Sequence, residues 1–191
     1  MLEVVACPQR LAGAVLAFTG HHVVATGVDE DEVRSHLDSQ DIAAPFNPVF
    51  LSWLGHRLDA RVGHIDVTLA RLGSGLGDDR LEAVAEPPDN ERVRRARQLR
   101  SEVTFFMPAD RSAVVALGVG LAGRRELSIE ISDEVDRSKG LGTGIVVAAV
   151  ARVRVDEAIF ASVAPGNTRS LRCFLNAGFS PIGAECILSA G

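Results

Sequence analysis

Hydrophobic and polar positions alternate with two different periods along this chain, and the change of period divides it. Near the start, residues 2–6 read as a short strand. The apolar run "LAGAVLAF" at 11–18 follows Pro8, which suits the first turn of a helix ending near Phe18. "HHVVATG" reads as a strand and "DEDEVRSHLD" as a helix whose first acids complement the positive end of its dipole. In "NPVFLSWLGHRL" the residues Phe50, Leu54 and Leu58 recur at i, i+4 and i+8, which predicts another helix, with Trp53 as a core residue. Past residue 62 a period of two appears: Ile65, Val67 and Leu69 alternate with Asp66, Thr68 and Ala70. A turn, "GSGLGDD", leads to a helical stretch broken by Pro87 and Pro88, then to a helix capped by Asp89 or Asn90 over "DNERVRRARQLR".

Three strands are expected next, at about 103–107, 113–121 and 126–132. The short connections "ADR" and "AGRR" make them an antiparallel meander. "IVVAAVARV" is apolar nearly all round, which predicts a helix buried against a sheet. Residues 158–164 read as a strand. Asn167 to Ala177 reads as a helix with Leu171, Phe174 and Leu175 on one face and Gly178 at its C-terminal cap, and "AECIL" as a closing strand. The order is mixed α/β: a mainly antiparallel central sheet flanked by helices. Residues 1–62 are expected to form a mostly helical segment and 63–191 a core domain.

Composition narrows the classes. With 191 residues, 47% hydrophobic and 24% charged, the chain has enough apolar material for a packed core. A net charge of −5 argues against generic nucleic-acid binding. The arginine cluster Arg92, Arg94, Arg95, Arg97 and Arg100 reads as a solvated helix face among nearby acids, or as a phosphate or RNA patch. Cys7, Cys173 and Cys186 are isolated and show no metal-ligand spacing. His21, His22, His36, His56 and His64 show none either, so no metal is expected. An odd number of thiols and the lack of a long apolar run suggest a cytoplasmic protein with no membrane segment.

The stretch "DRSKGLGTG" at 136–144 sits between an expected strand and an expected helix. It fails as a P-loop, because Lys139 precedes the glycines. It fails as a dinucleotide fingerprint, because position 145 is Ile. Its residues do fit Arg-x-x-Gly-x-Gly, from Arg137 to Gly142. Glycines admit an anion to backbone N–H groups at a helix start, where the dipole favours it; a ligand-free β-to-α turn is the alternative.

This segment resembles the acetyl-CoA pyrophosphate loop of the GNAT acetyltransferase superfamily. "VAPGNTRSLRCFLNAGF" at 163–179 is similar to that family's C-terminal motif, and "ELSIEISDEV" resembles the strand before its loop. The resemblance covers 63–191 and implies an acetyl-CoA-dependent N-acetyltransferase acting by direct attack in a ternary complex. It implies a pyrophosphate on the amides of Ser138, Lys139, Gly140, Leu141, Gly142 and Thr143, with Arg137 beside them. The pantetheine arm would lie along the backbone of Ile129 to Ile131, and Asn167 would bond it or simply cap its helix. Glu126 and Glu130 become candidates for the general base, on one strand face with Ser128 between them, and a partly apolar cleft would raise the base's pKa. The family's tyrosine acid falls on Phe174, and the chain has no tyrosine; Cys173 is the neighbouring alternative. The expected acceptor is a small-molecule or peptide amine, and a homodimer stays open as the assembly. A catalytically weak acyl-CoA-binding or regulatory protein of the same fold is the alternative function, and a nucleic-acid module on the arginine helix a third.

Overall fold

The computed structural model describes residues 1–8, 11–38, 41, 43–132 and 140–191. The described residues form ten strands and five α-helices, with two single-turn 3-10 helices, and the chain falls into two compact units. The mixed α/β class expected from the sequence is the class observed.

The first unit comprises Met1–Thr68 and Ile182–Gly191. It holds β1 (Leu2–Val5), β2 (Gly13–Phe18), β3 (His21–Ala25), α1 (Glu30–Ser35) and α2 (Pro48–Arg57). The long strand β4 (Ala60–Leu72) begins in it, and most of β10 (Ser180–Ala190) belongs to it. β1 and β3 pair in parallel, while β2 runs antiparallel to both β3 and β10. Val15, Val24, Val33, Phe50, Leu51, Leu54 and Leu188 make its core.

Two expectations change here. The run 11–18 is not a helix: Gly13–Phe18 is strand β2. A short, wholly apolar run has no period to distinguish a buried strand from a buried helix, and pairing on both edges decides it. The amino-terminal segment is accordingly not mostly helical. The boundary at 62/63 falls inside β4, and the last ten residues, assigned from the sequence to the core, belong with the first unit.

The second unit, Leu69–Pro181, carries the sheet order β4-β9-β8-β7-β6-β5. Its strands are β5 (Glu82–Val84), β6 (Ser101–Met107), β7 (Ala113–Val119), β8 (Arg125–Ile131) and β9 (Ala158–Val163). Its helices are α3 (Glu91–Leu99), α4 (Leu141–Val150) and α5 (Thr168–Asn176). β5 to β8 form an antiparallel meander, with β5 replacing the helical stretch expected before Pro87. β9 joins β8 in parallel. α4 is buried as its all-round apolar pattern requires, with Ile145, Val146, Ala148, Ala149 and Val150 inside.

Candidate functional site: the two faces of strand β8

The meander register sorts the β8 side chains. Glu126, Ser128 and Glu130 lie opposite Gly118, Ala116 and Val114 of β7 and share a face with them. Val114 and Ala116 pack in one cluster with Val93 and Ala96 of α3. The two carboxylates therefore face α3, as a period of two requires.

Glu126 is buried at 8% exposure, and its carboxylate is fully engaged. Arg100 Nε donates to Oε2 at 2.8 Å, Arg124 Nε donates to Oε1 at 2.8 Å, and the Leu121 backbone N–H donates to Oε1 at 3.2 Å. The turn between β7 and β8 thus closes on this side chain. Gly120 is part of the fit: a Cβ there would stand 2.2 Å from the Glu126 carboxyl carbon. Burial pushes the Glu126 pKa up, but Arg124 and Arg100 outweigh it, and the net direction is down. The raised pKa expected of a base is therefore corrected for Glu126: its surroundings hold it ionised. Glu130 is half exposed, with Arg92 Nε 3.7 Å from its Oε2.

Arg100 also donates from Nη1 to Ser128 Oγ at 2.8 Å. One guanidinium thus spans two successive positions of the same face. In the sequence Ser128 stands out only as the residue between two glutamates. Arg100 stands out there only as a member of the arginine cluster, and Arg124 and Gly120 not at all, although Arg124-x-Glu126 just after the turn is a legible ion-pair spacing.

The other face of β8 carries Leu127, Ile129 and Ile131, opposite Leu117, Val115 and Ala113. Gly142 of α4 sits here: a Cβ on it would stand 2.9 Å from Ile131 Cδ1 and 2.9 Å from Cys173 Sγ. Thr143 Oγ1 donates to Cys173 Sγ at 4.0 Å. Burial raises the Cys173 thiol pKa, and the Thr143 contact opposes that only in part. The three catalytic candidates are therefore not one cluster: Glu126 and Glu130 lie on the α3 face and Cys173 on the α4 face. Phe174, expected beside a cofactor, is 3% exposed and packs edge-on against Phe179 with ring centroids 5.1 Å apart. It is a core residue.

Arg137, Ser138 and Lys139 of the glycine stretch lie outside the described residues. Gly140 is described and stands at the N-cap of α4 with φ 71° and no side-chain cap. Its carbonyl accepts the Gly144 N–H at 3.1 Å, so the preceding N–H groups, those of Leu141, Gly142 and Thr143, have no partner within the helix. Such a start suits an anion. The β8–β9 ladder comprises the pairs Arg125↔Ile159 and Glu126↔Phe160, while β7 accompanies β8 from Arg125 to Ile131. Ile129 lies beyond that short ladder. Asn167 caps α5, its Oδ1 accepting the Ser170 N–H at 3.1 Å.

Several arginines of the α3 cluster are engaged within the chain. Arg94 pairs with Asp89 at 3.0 Å, and the Arg97 guanidinium lies 5.2 Å from the Phe105 ring centroid. His36 stacks on Trp53 at 3.9 Å. Among the described residues no group of three or more His, Cys, Asp or Glu is placed to hold a metal ion. No described helix is long and apolar enough to cross a membrane.

No protein-family model matches this chain, and no curated protein does. Among solved structures it is similar to a GCN5-related N-acetyltransferase from Kribbella flavida, at 14% identity over 74% of this chain and 64% of that one, with a TM-score of 0.43. It is similar to a putative GNAT-family acetyltransferase from Novosphingobium aromaticivorans, at 16% identity over 68% of this chain and 66% of that one, with a TM-score of 0.44. It is also similar to a functionally unknown conserved protein from Staphylococcus epidermidis, at 14% identity over 76% and 68% of the two chains, with a TM-score of 0.46. The chain thus spans slightly less than two thirds of the length of the first two.

Proposed function

We propose that the protein is an acyl-CoA-dependent N-acyltransferase, with acetyl-CoA as donor and a small-molecule or peptide amine as acceptor. The observation that carries this reading is the β8–β9 pair: a parallel ladder of two rungs, on a strand that leads through the glycine stretch to a helix start with no side-chain cap. Backbone beyond the ladder gives an extended arm a strand to pair with. The residues fit the donor. The N–H groups of Leu141, Gly142 and Thr143, with Arg137 and Lys139 just before them in sequence, hold its pyrophosphate. Ile129 and Ile131 line its arm, with Asn167 at the head of α5. The donor supplies an activated thioester carbonyl.

Glu130 takes the proton from the acceptor's ammonium. It is half exposed, whereas the Glu126 carboxylate is already occupied on both oxygens. Attack by the free amine is then direct, without an acyl-enzyme. A specific observation favours a second reading, an acyl-CoA-binding or regulatory protein: Phe174 stands in the core where the resemblance implies a proton donor.

Calorimetric titration with acetyl-CoA tests both. Binding weakened by about fivefold or more by Arg137→Glu or Lys139→Glu supports both readings, since a charge near a helix start is worth about 0.3–1 kcal/mol, up to about 2 when sheltered, and each substitution reverses one. Wild-type protein that binds nothing sinks both. Thiol release with a panel of amines, lost in Glu130→Gln, selects the enzyme; binding without release selects the second reading.

A further inference from the structure

We infer that Ser128 supplies the hydrogen bond that stabilises the thioester carbonyl oxygen during acyl transfer, and that Arg100 positions it. The inference rests on the acyltransferase reading.

Ser128 is 8% exposed and sits on β8 two residues past Glu126, the last residue of the ladder to β9. Its place in the meander is rigid, opposite Ala116 of β7. The small Ala116 side chain leaves this stretch of the face to Ser128 and the Arg100 guanidinium.

The hydroxyl is half used. Its oxygen accepts from Arg100 Nη1 at 2.8 Å, and among the described residues no acceptor takes its own proton. A hydroxyl that accepts one bond and still holds its proton can share that proton with a visiting acceptor without giving up the bond it has. Because a charged N–H occupies one lone pair, the hydroxyl proton must turn away from Arg100. Donation from a cation also makes that proton a better donor. Arg100 is itself held by Glu126 at 2.8 Å, so the whole relay is preorganised.

The alternatives on this chain are poorer. The Cys173 thiol lies on the opposite face, with burial raising its pKa, and the Phe174 ring is in the core with no proton to give. In the reaction the amine nitrogen forms a bond to the carbonyl carbon, and the carbon–sulfur bond breaks. The ammonium proton goes to Glu130 and on to solvent, the second proton is lost from the attacking nitrogen to solvent as the amide forms, and the thiolate leaves to take one proton from solvent. Ser128 keeps its proton throughout and only shares it with the oxygen while charge resides there.

The test uses the full-length protein with carbonyl-13C acetyl-CoA and no amine, so the readout does not depend on turnover. The infrared carbonyl band of the bound donor is expected at lower wavenumber than that of the free donor. In Ser128→Ala it returns to the free position, with the dissociation constant changed less than about threefold. With an amine added, kcat falls by about 100-fold, the usual effect of losing one such donor. Ser128→Thr, which keeps a hydroxyl, restores band and rate, and circular dichroism verifies that each variant folds. An unshifted band in the wild type, or the same shift in Ser128→Ala, overturns the assignment while leaving acyl-CoA binding intact. Loss of binding in a folded Ser128→Ala also overturns it, because the hydroxyl is then only a prop for the strand. A wild type that binds but transfers to no amine overturns the catalytic role alone. A wild type that does not bind overturns the acyltransferase reading together with it.

Discussion

Replacing Glu126 by Gln keeps size and shape and removes one charge from between two guanidinium groups. The side chains of Arg100 and Arg124 are 12% and 11% exposed, so water does little to screen what remains. The amide has one oxygen. It can keep the bonds from Arg124 and the Leu121 N–H, but its NH2 group then faces the Arg100 Nε–H, donor against donor. Removing one partner of a buried ion pair costs about 3–5 kcal/mol, because the charges left behind are uncompensated. For a chain of this length that corresponds to a fall in Tm of roughly 6–20 °C. Thermal unfolding by circular dichroism from pH 7 to pH 3 is the assay. The folded-state pKa of Glu126 lies below the ordinary value of 4.5, so its contribution is full above that value and lost as pH falls through the lower one. The gap between wild type and Glu126→Gln is therefore expected to be constant near neutrality and to narrow in acid. A variant as stable as wild type at pH 7, or a gap equally wide at pH 3, would refute the reasoning.

Three further outcomes are expected. Phe174→Tyr places a hydroxyl in the core, so it lowers stability by about 1–3 kcal/mol and does not speed thiol release; a faster enzyme would show that this position faces the reaction. Gly140→Ala has open space for its methyl group but keeps a φ of 71°, so urea denaturation is expected to show a loss of about 1–2 kcal/mol, and no loss would mean the left-handed start of α4 is not needed for folding. Burial raises the Cys186 thiol to about 11, leaving roughly one thiolate in a thousand at pH 8, so mass spectrometry after native iodoacetamide treatment should find Cys186 the last of the three cysteines modified; early modification contradicts its placement.

Much of the second unit was legible because its periods are clean. The alternation in "ELSIEI" forces Glu126, Ser128 and Glu130 onto one face, and the all-round apolar "IVVAAVARV" leaves a helix nowhere to go but inside. The glycine stretch was legible as the start of a helix, and Gly140 meets the need for a positive φ there that few residues satisfy. The run 11–18 was not legible. A short apolar segment satisfies strand and helix equally, and only the edges of β3 and β10 settle it. The state of Glu126 was not legible either. A carboxylate on a buried face reads as a group of raised pKa until Arg100, 26 positions away, and Arg124 are found closing on it. The same holds for Cys173 and Glu126, both plausible site residues that the sheet puts on opposite faces. Local period and backbone permission act over a few residues and are written in the sequence. Ion pairing, burial and the side of a sheet depend on residues that meet only after the chain has folded.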